Sequence, residues 1–184
     1  MKKFVPIGDG DFSPGDFSAP LVVPLRGQPS VWGPLVCYED IFPHLSRSSA
    51  LGGASVLVVL TNNGWFGEGG AAFQHAAHAV LRAVETRRPV IRCGNAGWSG
   101  WIDEFGTVRA TVTDGRGSIY FRGTRTLDVT CDARWVGQNT FYTEHGDWFV
   151  LVAVGLAMFG VAVLKMSEAT SPSPAAKILK SSDN

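Results

Sequence analysis

The side chains best suited to chemistry in this chain stand in Leu35-Val36-Cys37-Tyr38-Glu39-Asp40, where a cysteine ends a short apolar run and an acid follows two positions later. A thiol at the end of a rigid strand, beside free backbone N–H groups, can attack a carbonyl while those groups hold the resulting oxyanion. Downstream, Thr61-Asn62-Asn63-Gly64-Trp65-Phe66-Gly67 is a turn-rich segment carrying two aromatic rings. A lone cysteine also fits a buried structural role, so the local pattern alone leaves both readings of Cys37 open.

Each of the other candidates has a bland alternative. Glu39 can cap or salt-bridge, and Trp65 and Phe66 can be core aromatics. His75 and His78 stand three apart on one helical stretch, a spacing that can bind metal, but no third ligand completes a pattern. Arg82, Glu85 and Arg92 read as a buried charge network that fixes a helix, because buried charges need partners. Cys93 and Cys131 read as structural, and Asn95, in Asn-x-Gly, as a loop-orienting side chain.

The elements that must position these residues follow from periodicity. Leu21–Leu25 and Val31–Cys37 read as strands, and residues 40–50 as a helix with Pro43 in its first turn. Ser55–Leu60 is a continuous apolar run, as expected of a strand buried on both faces. Residues 61–70 form a loop. Phe73–Thr86 reads as an amphipathic helix with Phe73, Ala76, Ala77, Val80, Leu81 and Val84 inward and Arg82 and Glu85 elsewhere. A strand over Pro89–Cys93 follows, then a hairpin of Gly100–Ile102 and Gly106–Thr113, then further strand over Ser118–Val129. The alternation of strand and helix points to an α/β fold with a helix-covered sheet.

Composition narrows the class. The chain has 184 residues, enough for a real core, and zero formal net charge, which gives no footprint for nucleic acid. Its three cysteines are odd in number and widely spaced, so they form no disulfide framework. From Trp148 to Leu164 every residue is apolar or glycine. As a helix this run spans about 25 Å, close to the ~30 Å of a bilayer core. Trp148 suits one interface and the snorkelling stem of Lys165 the other. A wholly buried core helix is the alternative. Lysines at 165, 177 and 180 follow the run, so the positive-inside rule places the tail in the cytoplasm and residues 1–147 outside. The Ser/Pro/Lys-rich tail reads as disordered. An outside domain needs an export signal, and no apolar segment follows Met1-Lys2-Lys3. The expectation is therefore the C-terminal part of a longer membrane protein.

Taken in order, these motifs carry a resemblance. Cys37-Tyr38-Glu39, the segment from Thr61 to Gly67, Gln74-His75, Arg82-Ala83, Glu85, Arg88-Pro89, Arg92, Asn95 and Gly97 follow the order and spacing of the nitrilase superfamily. Within it, the chain resembles the apolipoprotein N-acyltransferases, in which a final membrane helix follows a G-x-W step, here Gly146-Asp147-Trp148. The resemblance covers roughly residues 4–165. It implies the C-terminal part of a four-layer α-β-β-α sandwich over residues 1–147, a transmembrane helix over 148–165 and a cytoplasmic tail over 166–184. It implies a bacterial inner-membrane enzyme with its catalytic domain on the periplasmic side. The implied substrates are a phospholipid acyl donor and a diacylglyceryl-cysteine apolipoprotein acceptor, and no cofactor is needed.

By the same resemblance, Cys37 is the nucleophile of a Glu-Lys-Cys triad, and Glu39 is a second, supporting acid. Trp65 and Phe66 face the acyl pocket, and Asp9 stands where the family has a glutamate after its V-P-F-G pattern. The triad glutamate belongs to the family's first half. The triad lysine falls at or just before Met1, so Lys2 or Lys3 replaces it only with a shift of register. The alternatives are a soluble carbon–nitrogen hydrolase using the same thiol, or an inactive membrane-tethered pseudoenzyme.

Overall fold

The computed structural model describes residues 19–25 and 27–170. The expectations for Lys2, Lys3, the segment 5–8, Asp9 and the tail beyond 170 fall outside the described residues. The chain divides after Gly146 into two compact units.

In the first unit, six strands form one mixed sheet in sequence order: β1 (Leu21–Leu25), β2 (Gln28–Val36), β3 (Val56–Asn62), β4 (Val90–Asn95), β5 (Gly100–Ile102) and β6 (Val108–Thr111). β2, β3 and β4 are parallel, and the remaining neighbours pair antiparallel. Parallel neighbours need crossovers, supplied by α1 (Pro43–Leu51) and α2 (Ala71–Thr86). The α/β nitrilase-like arrangement expected from the motifs is present, and the described residues build one of its sheets and one helical layer.

The core lies between α2 and one face of that sheet. Leu35, Leu57, Val59 and Val90 pack against Ala72, Ala76, Ala79 and Ala83. Alternate strand residues point to one face, so these four share a side. Gly33 lies on the same side, where a Cβ would fall 2.7 Å from Ser49 of α1 and 2.8 Å from Leu57.

Three expectations are corrected. First, β3 is covered unevenly: Leu57 and Val59 are buried on one face, whereas on the other Val56 is buried but Leu60 is half exposed. Among the described residues, helices pack on one side of the sheet, so the unbroken apolar run does not mean burial on both. Second, α2 buries a different stripe from the one its large apolar residues suggest. Ala72, His75, Ala76, Ala79, Arg82, Ala83 and Thr86 face inward, whereas Phe73, Ala77, Leu81 and Val84 are exposed. Small side chains let the helix approach the sheet closely, and His75 and Arg82 turn inward because their partners are there. Third, Ser118–Val129 forms no strand. Ile119, Phe121 and Leu127 instead line a groove with Ile91 and Cys93 of β4.

The expected helix over 40–50 is split into a short 3-10 helix over Cys37–Ile41 and α1, with Pro43 in α1's first turn. Arg88 is buried and its guanidinium donates to the carbonyls of Ala54, Trp135 and Gln138, which fastens the segment leading to α3 (Phe141–His145).

The second unit contains α4, Trp148–Thr170. Its stretch Trp148–Ser167 is long and apolar enough to cross a membrane, and its side chains are exposed.

Candidate active site

Because β2, β3 and β4 run parallel, their C-terminal ends meet at one edge of the sheet. Val36 pairs with Leu60 and Leu60 with Cys93, and two steps on Asn62 pairs with Asn95. Ligands of open α/β sheets bind outside such ends. Cys37 stands there, at the first position after β2, with φ at 55°, in the left-handed region. That conformation disfavours any side chain and turns the thiol out of the strand direction. The Thr61 hydroxyl lies 3.6 Å from Cys37 Sγ.

Glu39 closes the turn: its Oε2 accepts the Val36 backbone N–H at 2.7 Å. It therefore reaches back to the strand end rather than outward. Tyr38 stacks on His75 at 4.7 Å and meets Phe66 edge-on at 6.1 Å. Trp65 and Phe66 are 64% and 40% exposed, so they are surface rings and not core aromatics. Phe66 and Tyr38, the residue next to the thiol, thus form an aromatic pair.

Beneath this surface lies a cluster that the sequence reading did not assemble. Asp40 is fully buried; one carboxylate oxygen accepts from Arg92 Nη1 and the other from His75 Nε2, the latter at 2.9 Å. Asn63 Nδ2 donates to His75 Nδ1 at 3.0 Å, so the neutral imidazole carries its proton on Nε2, toward Asp40. Asp40 comes from the 3-10 helix, Asn63 from the loop after β3, His75 from α2 and Arg92 from β4. One chain of hydrogen bonds thus ties four separate elements under Cys37. Arg92 does not join Arg82 and Glu85, which pair with each other at 2.7 Å. His75 is taken up by Asp40 and Asn63, not arranged with His78. Gly97 completes the packing, since a Cβ there would fall 2.5 Å from Asn63 Oδ1. Asn95 orients the neighbouring loop, donating to Asn62 Oδ1 at 3.0 Å. Cys93, expected to be structural, is exposed, as is Cys131.

Burial first, and then the Arg92 guanidinium, hold the His75 imidazole below its ordinary value of 6.5, against the opposing pull of Asp40. The folded chain binds this proton less readily than the unfolded chain. The resulting stability is fully present above pH 6.5 and is lost as pH falls below it. Denaturation midpoints measured from about pH 7.5 down to about pH 5 are expected to fall more steeply for the parent than for His75→Gln, whose amide still reaches Asp40.

The backbone at Cys37 gives a second expectation. Glycine adopts the left-handed region freely, so Cys37→Gly is expected to be more stable than Cys37→Ala by about 1 kcal/mol. Thermal unfolding of the two variants checks it; equal stability would mean that the left-handed turn is not held in solution.

Comparison with known proteins places this architecture. The carbon-nitrogen hydrolase family matches residues 11–132, a stretch that contains Cys37 and the whole buried cluster. This chain belongs to the carbon-nitrogen hydrolase family. It is 36% identical over 160 residues to the apolipoprotein N-acyltransferase of Geobacter metallireducens, covering 84% of this chain and 28% of that protein. The apolipoprotein N-acyltransferase of Thermotoga maritima is 34% identical over 71% of this chain and 24% of its own length. That of Allorhizobium ampelinum is 48% identical over 41% of this chain and 14% of its own length. The expected likeness to this branch is borne out, and the chain spans about a quarter of the length of the curated relatives it matches. Among solved structures, a carbon-nitrogen hydrolase from Helicobacter pylori G27 aligns with TM-score 0.49 and 20% identity, over 56% of this chain and 42% of that one. Saccharomyces cerevisiae Nit3 aligns with TM-score 0.45 and 25% identity, over 56% of this chain and 39% of that one.

Proposed function

We propose that this chain is the thiol-bearing part of a membrane-bound N-acyltransferase of lipoprotein maturation. The observation that carries the reading is the position of Cys37: a left-handed turn at the parallel-strand edge, within a chain similar over most of its length to named apolipoprotein N-acyltransferases.

In this reading the Cys37 sulfur attacks the ester carbonyl of a phospholipid. The bond from that carbonyl to the glycerol oxygen breaks, and the lysophospholipid leaves as an alcohol, taking a proton. The acyl group remains on sulfur as a thioester. The free amine of a diacylglyceryl-cysteine lipoprotein then attacks the same carbonyl. The carbon–sulfur bond breaks, an amide forms, and the amine's proton passes to a general base. That base and an oxyanion-supporting lysine are the triad glutamate and lysine that the family carries ahead of the cysteine. Glu39 supports the nucleophile by holding the turn closed on Val36, and Trp65, Phe66 and Tyr38 border the acyl chain. Asp9 remains a substrate-side candidate outside the described residues.

The apolar helix Trp148–Ser167 supports membrane attachment; by the positive-inside rule, the lysines at 165, 177 and 180 favour the domain 1–147 on the periplasmic side of the inner membrane and the tail after the helix in the cytoplasm. The helix also favours lipid substrates over the small amides or nitriles of a soluble hydrolase. The test is intact mass spectrometry of the chain, and of a form extended upstream in its own reading frame, in detergent micelles containing phospholipid. A hydroxylamine-labile acyl adduct supports the reading; a folded extended form that gains none overturns it.

A further inference from the structure

Cys37 opens the 3-10 helix that carries Asp40, and its backbone hydrogen-bonds His75, whose Nε2 donates to Asp40. The carboxylate of Asp40 is thus a fixed negative charge close to the Cys37 turn. Arg92 brings the balancing positive charge from β4, and both side chains are buried, at 0% and 2% exposure. In such surroundings water screens less than at the surface, so each charge acts more strongly on its neighbours. The other titratable groups around the turn are Tyr38, stacked on His75; Glu39, turned back to Val36; and His75, hydrogen-bonded to Asp40 and Asn63.

We propose that Asp40 and Arg92 are positioning residues whose balanced charges set the reactivity of the Cys37 thiol, beyond holding the turn in shape. The pair places no net charge beneath the nucleophile. Removing its negative half leaves a guanidinium that favours the thiolate; removing its positive half leaves a carboxylate that opposes it. The electrostatic interaction between Arg92 and Cys37 is consistent with this arrangement. The two changes therefore act on the thiol in opposite directions, although both break the same contact. A purely structural pair would loosen the turn either way and shift reactivity in one direction.

The inference rests on Cys37 as the nucleophile, but its test requires no acyl donor. The full chain in detergent micelles is alkylated with iodoacetamide near neutral pH, and the rates at Cys37, Cys93 and Cys131 are resolved by peptide mass spectrometry. Cys131, near Ser55, serves as the internal standard. Relative to it, Cys37 is expected to react at least about threefold faster in Asp40→Asn and at least about threefold slower in Arg92→Gln. The double variant Asp40→Asn/Arg92→Gln is expected to return to within about twofold of the parent. Circular dichroism establishes which variants are folded, and either single variant set against the double is sufficient for a decision. Shifts in one direction, or a double variant that stays with the single one, overturn the proposal. Opposite shifts in a chain that never acquires an acyl adduct would retain the proposal while the acyltransferase reading failed.

Discussion

Arg92→Gln is expected to lower the unfolding free energy of this chain by about 3–5 kcal/mol. The reason is what it leaves behind. Asp40 is fully buried and accepts from two groups, Arg92 and His75. Without the guanidinium, the carboxylate retains its desolvation penalty and keeps a single neutral donor. Removing both charges together in Asp40→Asn/Arg92→Gln eliminates the unpaired ion, and the loss is expected to shrink to about 2 kcal/mol or less. Chemical denaturation in detergent micelles measures both. A single variant within about 1 kcal/mol of the parent would mean that Asp40 finds solvent or another partner, and that the buried pair does not exist in solution.

Cys37→Ala is expected to abolish acyl transfer, because the proposed route has no other atom to carry the acyl group. The thiol lies at the edge where three parallel strands end, in a turn closed by Glu39, and the Thr61 hydroxyl is its near neighbour. The other thiols stand differently: Cys93 lies within β4, two strands from Val36, and Cys131 lies near Ser55. Mass spectrometry of an acyl-loaded sample should therefore find the adduct on the Cys37 peptide alone. An adduct that survives Cys37→Ala would remove the thioester from the mechanism. Cys37→Ser offers a finer check, since an oxygen ester resists hydroxylamine more than a thioester does. A stable adduct there would place the acyl group at this position while showing that its release needs sulfur.

The features readable in the sequence are those set by neighbours in the chain. The end of β2 at Cys37 follows from an apolar run meeting Tyr38-Glu39-Asp40, and the aromatic loop from Asn62 to Gly67 from its turn residues. The ladder of parallel strands and helices, and the long apolar helix after Gly146, follow from periodicity and length in the same way. What packs against what was decided elsewhere. The large apolar residues of α2 suggested one buried face, but the sheet accepts the alanine face, because close approach of a helix rewards small side chains. Ser118–Val129 has strand composition but finds no ladder partner, and a strand exists only as a pair. The charges show the difference most clearly. Asp40, Asn63, His75 and Arg92 each stand in plain view in the sequence, and Arg92 looked like a partner for Glu85 because they are near in the chain. Their connection spans 52 residues between Asp40 and Arg92. It forms because parallel pairing brings the ends of β2, β3 and β4 to one edge, with α2 crossing beneath them. Chain-local preferences determined the nucleophile's turn, and only the tertiary fold could bring together the buried groups that hold it.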